Sequence, residues 1–127
     1  NILLQDVGVD LKDIVMHPTT GSLGFGMIYI YSVMERGRLA GLKGDKLMQQ
    51  PFILNLGSQT GRVKEARETE ETEPTWGPLS VRAPLWEAAS AIAYLECGGE
   101  LIVLRNPESL KQIKAATEQL WPFKAGQ

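Results

Sequence analysis

The groups that could bind a ligand or move a proton sit at the ends of short apolar runs. The segment Thr19-Thr20-Gly21-Ser22-Leu23-Gly24-Phe25-Gly26 separates a strand-like run from a helix-like one. A glycine-rich turn in that position can aim free backbone amides at an anion. Its spacing, G-x-x-G-x-G, is neither the dinucleotide fingerprint G-x-G-x-x-G nor a P-loop, which ends in Lys-Ser/Thr. The plainer reading, a tight βα turn that needs glycine backbone angles, outweighs a phosphate site. His17 precedes Pro18 at the end of the first run. Its imidazole could act as a general base or as a lower axial ligand to a metal cofactor, but no carboxylate nearby would orient it. A structural hydrogen bond is the favoured role.

Asn55 and Arg105 occupy equivalent strand ends. Asn55 could donate to a carbonyl or ring nitrogen, and Arg105 could clamp a carboxylate. Pairing of Arg105 with Glu108 or a neighbouring acid is the favoured structural alternative. Cys97 closes a helix-like run, where the dipole raises a thiol pKa, so it is a poor nucleophile. Trp76, Trp86 and Trp121 read as packing or subunit-contact residues, because no basic stripe accompanies them. No catalytic triad, metal-ligand cluster or carboxylate pair is visible, so no catalytic or metal-binding residue is assigned.

The elements that must position these groups alternate. Asn1 to Gly8 reads as the last turns of a helix stopped by glycine, and the absence of an initiator Met suggests a fragment. Asp13–Met16 is a continuous apolar run suited to a buried parallel strand. The spacing of Ile30, Val33, Met34 and Gly37 predicts a helix over Met27–Leu42, which Gly37 weakens by about 1 kcal/mol relative to Ala. A second strand is expected over Phe52–Leu56, then a helix from Thr60 to Arg67. A solvated, mobile acidic connection follows over Glu68–Thr75, extending to about residue 77, and 78–84 continues irregularly. Pro84 suits the first position of a helix running to Glu96, with Leu85, Ala89, Ile92 and Ala93 inward. The third strand is expected over Glu100–Arg105. Asn106-Pro107-Glu108 then opens a helix carrying Leu110, Ile113, Ala116 or Thr117, and Leu120, and ending near Trp121-Pro122.

Strands alternating with helices argue for parallel βαβ units. Three strands in 127 residues suggest a single domain that is about half of a (β/α)8 barrel, since a complete one takes roughly 250 residues. Such a half would expose strand edges and an open core, which predicts homodimerisation or disorder at Glu68–Thr75. The 43% hydrophobic and 22% charged composition excludes wholesale disorder. A net charge of −2 gives no reason to expect a nucleic-acid or anionic-membrane surface. No run approaches the roughly 20 apolar residues that span a bilayer. One Cys and one His cannot form an internal disulfide or a metal cage alone. The expected setting is reducing and cytoplasmic.

The stretch Asp6-Val7-Gly8-Val9-Asp10, continuing through Asp13-Ile14-Val15-Met16-His17-Pro18-Thr19-Thr20-Gly21-Ser22-Leu23-Gly24-Phe25-Gly26, leads into Tyr29-Ile30-Tyr31-Ser32-Val33-Met34-Glu35-Arg36 and Leu39-Ala40-Gly41-Leu42-Lys43-Gly44-Asp45. It resembles the delta subunit of the acetyl-CoA decarbonylase/synthase (CO dehydrogenase/acetyl-CoA synthase) complex, the family also called the small subunit of the corrinoid/iron–sulfur protein. Arg82-Ala83-Pro84-Leu85-Trp86-Glu87-Ala88-Ala89 is similar in character. The resemblance covers roughly the whole chain and is most specific over Asp6–Pro51.

It implies the C-terminal part of a barrel subunit that pairs with a large (gamma) subunit carrying the corrinoid (cobalamin) and a [4Fe–4S] cluster. The assembly moves a methyl group from a methyl-tetrahydropterin through the corrinoid to acetyl-CoA synthase. It implies no cofactor bound by this chain alone and a non-catalytic supporting role. The matching rim residues Thr19, Thr20, Gly21 and Gly24, joined by the strand-end Asn55, are the candidates for contact with corrinoid or partner. Many members carry an acid at the position of His17, so the resemblance gives His17 no role. Two other readings stand beside it: a pterin- or phosphate-binding barrel methyltransferase fragment using Gly21–Gly26 and Asn55, and an interaction module without a small ligand.

Overall fold

A computed structural model describes residues 1–121. Helix α1, Ile2–Asp6, and helix α2, Met27–Leu42, form where the sequence predicts helix. Gly8, at φ +89°, stops α1 as expected. Inward along α2 come Ile30, Met34, Gly37 and Gly41, while Val33 stays 54% exposed. Gly37 is there for packing: a Cβ would stand 2.9 Å from Met48 Cε and 3.0 Å from Phe52 Cζ. The weakness it brings to the helix is the condition for a close approach.

The barrel expectation is overturned. Among the described residues the chain is mostly helical, and its one sheet has two parallel strands of two residues each, β1 (Ile53–Leu54) and β2 (Leu101–Ile102). Ile53 faces Leu101 and Leu54 faces Ile102. Met16 joins only through an isolated parallel bridge to Phe52, in which Met16 N donates to Pro51 O and Ile53 N to Met16 O.

Each expected strand is cut for a local reason. Leu11–Asp13 forms a 3-10 turn, and burial then alternates through Ile14 (3%), Val15 (45%) and Met16 (9%), so this run is two-faced and not continuously buried. The expected Phe52–Leu56 strand ends at Leu54, because buried Leu56 and Gly57 already belong to helix α3, Leu56–Thr60. The helix expected over Thr60–Arg67 therefore starts four residues early, and only a 3-10 turn at Lys64–Ala66 follows it. The Glu100–Arg105 strand stops at Ile102, because the amides of Arg105 and Asn106 turn to the Glu87 carboxylate and not to a neighbouring strand.

Helix α4, Leu79–Glu96, begins five residues before the predicted start. Its first amide, Leu79 N, is capped from outside by Glu70 Oε1 at 2.7 Å. Pro84 lies in the second turn, so the carbonyl left without a donor is that of exposed Ser80. The buried face is also rotated from the predicted one. Pro84, Glu87, Ala88, Ser90, Ala91 and Tyr94 are buried, whereas Leu85 is 56% exposed. Helix α5, Pro107–Leu120, starts as predicted, with Asn106 in the N-cap position and Pro107 at the first turn. Its inner face is Ser109 and Ile113, and Leu110 and Leu120 are exposed. Pro122, the expected stop, lies outside the described residues.

One core joins the elements: Met16, Phe52 and Leu54 from the extended segments meet Met34, Ala88, Ala91, Tyr94, Cys97 and Ile113 from the helices. Alternation along parallel strands puts Met16, Phe52, Leu54 and Ile102 on this helix-covered face. Ile53 and Leu101 point to the opposite face, where Leu101 (47%), Val103 (46%) and Val15 (45%) are open to solvent. The carboxyl ends of the extended segments, with His17, Thr19 and Asn55, rim that open face.

Candidate functional site

The glycine-rich loop is held by the polar stripe of α4. Leu23 N donates to Ser90 Oγ (3.2 Å), Ser90 Oγ donates to Trp86 O (2.8 Å), and Trp86 Nε1 returns a bond to Leu23 O (3.0 Å). One turn on, Tyr94 Oη donates to Gly21 O (2.9 Å) and accepts from Gly21 N (3.3 Å). Desolvation by burial pushes the Tyr94 phenol above its ordinary pKa, which keeps it in the donor form. Within the loop, Ser22 and Phe25 exchange backbone bonds at 3.0 and 2.9 Å. Gly21 has no room for a side chain: a Cβ would meet Phe25 O at 2.6 Å and Gly26 C at 2.8 Å. Gly24 and Gly26 take positive φ, +73° and +75°. The amides of Gly21, Ser22, Leu23 and Phe25 are thus already engaged, and the loop is a fixed turn whose cradle for an anion is largely filled by its own scaffold.

Thr20 is the hub of the rim. Its Oγ1 accepts from Asn55 N at 3.2 Å, lies 3.4 Å from His17 Nε2 and donates to Pro18 O at 3.5 Å. Three of the sequence candidates, His17, Thr20 and Asn55, therefore come together around one hydroxyl. Thr20 and Gly21 are buried, while His17, Thr19, Gly24 and Asn55 are exposed. Gly24 belongs to another surface, an apolar cleft of about 440 Å³ lined by Phe25, Met27, Ile28 and Tyr31. Asn55 and Arg105 are not joined as a pair: Arg105 lines a cleft of about 580 Å³ whose lining does not include Asn55. The anticipated Arg105–Glu108 pair is absent as well, since Glu108 binds Lys111 at 2.7 Å.

The chemically most constrained side chain, Glu87, escaped the sequence reading. It is 0% exposed, accepts from Arg105 N at 2.8 Å and Asn106 N at 2.9 Å, and receives Thr60 Oγ1 at 3.4 Å. It holds the two amides that lead into α5, while the Asn106 side chain, in the N-cap position, makes no cap bond. The available signal was the spacing of Glu87, Ser90 and Tyr94 (i, i+3, i+7), which marks one helical face. Cys97 is buried against Met34 Sδ (3.8 Å), and burial pushes its thiol from 9.0 to about 11. The direction agrees with expectation, but desolvation and not the helix dipole is the first cause. Among the described residues, no three His, Cys, Asp or Glu side chains gather as a metal site requires. No described helix is long and apolar enough to cross a membrane.

A family profile described as CO dehydrogenase/acetyl-CoA synthase delta subunit matches residues 1–111. The acetyl-CoA decarbonylase/synthase complex subunit delta of Methanocaldococcus jannaschii is 41% identical over 114 residues, covering 90% of this chain and 27% of that protein. The proteins of the same description from Methanopyrus kandleri and Archaeoglobus fulgidus are 39% and 35% identical, covering 89% and 88% of this chain and 27% and 25% of theirs. The chain spans about a quarter of the length of these curated relatives.

Proposed function

Because the chain belongs to the CO dehydrogenase/acetyl-CoA synthase delta-subunit family, we propose that it is a non-catalytic, positioning part of the methyl carrier in acetyl-CoA synthesis or cleavage. In this reading a corrinoid and a [4Fe–4S] cluster reside on a large (gamma) partner subunit. A methyl group passes from a methyl-tetrahydropterin through that corrinoid to acetyl-CoA synthase, in the cytoplasm. This chain offers the partner a pre-organised rim: Thr19 and Asn55 at the ends of the extended segments, Thr20 and Gly21 holding them in place, and Gly24 on the adjoining apolar cleft.

The observation that carries the reading is the uncovered sheet face. Val15, Leu101 and Val103 stay solvent-exposed beside the polar rim of His17, Thr19 and Asn55. An apolar patch edged by fixed polar groups suits a macromolecular contact. Its contribution would be orientation: a carrier whose reactive atom must visit donor and acceptor gains rate from being held in register. The alternative, a pterin- or phosphate-binding methyltransferase fragment, is disfavoured because Tyr94 and Ser90 already take the Gly21 and Leu23 amides.

The test is co-purification of the chain with a corrinoid-containing large subunit, comparing the unaltered chain with Asn55→Ala and Val103→Lys. Retention of the corrinoid protein by the unaltered chain, weakened in both variants, supports the reading. A stable monomer that ignores the large subunit overturns it. Association of the chain only with itself also overturns it, in favour of a homodimeric module, and heat on titrating methyl-tetrahydropterin alone favours the methyltransferase reading.

A further inference from the structure

The chain makes room for one guanidinium and, among the described residues, gives it no partner. Arg105 follows β2, and its backbone is locked by the fully buried Glu87 carboxylate, 2.8 Å from Arg105 N. Its side chain runs across α3, where two glycines make room for it. A Cβ at Gly57 would stand 2.7 Å from Arg105 N and 3.0 Å from Arg105 Cβ, and one at Gly61 would stand 2.7 Å from Arg105 Nη1. Gly57, in α3, and Gly61, at its C-cap, are four residues apart, and both leave room for Arg105. Among the described residues the exposed Arg105, like Arg36 and Arg62, makes neither an ion pair nor a side-chain hydrogen bond, whereas Arg67 is paired with Glu68. The guanidinium lies in the wall of a cleft of about 580 Å³, lined also by Arg67, Ser80 and Asn106.

We infer that this cleft binds the oxyanion end of a small molecule, a phosphate or a carboxylate, with Arg105 as the bidentate anchor and Arg67, already paired with Glu68, adding positive charge to the lining. A fixed planar fork of N–H donors is the group that recognises such oxyanions. The one carboxylate on the lining, Glu70, is committed to Leu79 N at 2.7 Å, and backbone hydrogen bonds hold its pKa below the usual carboxylate value. It therefore remains an anion on one wall and orients the ligand's charged end toward the arginines. Glu87 already holds the amides of Arg105 and Asn106, just before α5, so those two donors are not available to the ligand. This site is separate from the Thr20 rim and does not depend on the assembly reading.

The experiment titrates the full 127-residue chain with inorganic phosphate in one arm and citrate in the other, at low ionic strength, following amide NMR shifts. A saturable response in either arm that maps to Gly61 and Asn106 is expected, and the responding arm identifies the oxyanion class. Arg105→Gln should weaken binding by about tenfold or more. Arg67→Gln, which alters an exposed side chain and leaves Arg105 seated, should weaken it by a smaller factor and serves if Arg105→Gln does not fold. A response that fails to saturate, maps elsewhere or persists unchanged in both variants overturns the proposal, as does silence in both arms.

Discussion

At the scale of single residues, the strongest constraint is a carboxyl group inside the core. Glu87 is buried, has no ion-pair partner among the described residues and is satisfied by two backbone amides and a hydroxyl. Hydrogen bonds of this kind make a buried polar side chain tolerable, and deleting the acceptor strands its donors. Glu87→Ala should therefore cost roughly 3 kcal/mol in urea unfolding, and Glu87→Gln less, because one amide oxygen can still accept. A loss below about 1 kcal/mol for the alanine variant would mean the capping role is wrong.

Cys97 gives a prediction with a sign. Burial raises its thiol from 9.0 to about 11, so the folded state favours the protonated form. That contribution to stability is whole below about pH 9 and is lost as pH climbs toward 11, where the unfolded thiol has already ionised. Melting temperature should fall across this window more steeply in the unaltered protein than in Cys97→Ala. The thiol should also resist a disulfide reagent at pH 8 until the chain is unfolded. Equal alkaline slopes in the two proteins would remove Cys97 from the account.

At the scale of elements, three helices end the same way. Glycines 8, 44 and 98 take φ of +89°, +102° and +97°, and the residue after each donates back to the end of its helix: Val9 N to Leu4 O, Asp45 N to Ala40 O and Gly99 N to Tyr94 O. This is the Schellman arrangement, which needs a left-handed residue and so favours glycine. The three sites differ in what surrounds them. A Cβ at Gly8 meets nothing within 4 Å, whereas one at Gly98 would lie 2.8 Å from Arg38 Nε. Gly8→Ala should thus cost only the backbone strain, about 1 kcal/mol. Gly98→Ala should cost more, because Arg38 must also leave Gly98 O, where Nε donates at 3.0 Å. Chemical denaturation of the two variants checks the ranking, and equal losses would contradict it.

These elements also mark what was legible in the sequence. The boundaries of α2 and the start of α5 follow from local signals: apolar spacing, Asn-Pro-Glu and terminal glycines. The strands were overread because apolar runs carry no record of where their amides go. Leu56 and Arg105 look like strand residues, yet one is drawn into α3 and the other is diverted to Glu87. The face of α4 was misassigned for the reverse reason. Its buried side is polar, with Glu87, Ser90 and Tyr94 bonded to loops from elsewhere in the chain, and hydrophobicity points to Leu85 instead. Of the rim, Thr19, Thr20, Gly21 and Asn55 were recognisable as loop and strand-end residues. The Thr20 bridge to Asn55 was not, because it spans 35 residues.

At the scale of the whole molecule, the helices cover one face of the parallel segments and leave the other bare. Leu101 N and Val103 N donate to Phe52 O and Leu54 O, so the Ile102 amide between them faces away from β1, along the outer edge of β2. Such an edge beside exposed Leu101 and Val103 is an invitation to association that a solitary protein ordinarily blunts with charge. The face carries little of the fold's own stability, because its side chains already spend much of their surface in water. Leu101→Lys with Val103→Lys should therefore shift unfolding free energy by about 1 kcal/mol or less, roughly 0.5 kcal/mol for each exposed site. The same double variant should lose the large-subunit contact proposed above, measured as the disappearance of the heavier boundary in sedimentation velocity of the mixture. Loss of the boundary with folding intact locates the interface on the sheet. An undiminished boundary would move the contact elsewhere, to the apolar cleft of Phe25, Ile28 and Tyr31 or to the α1 surface, and would detach the Thr20 rim from partner recognition.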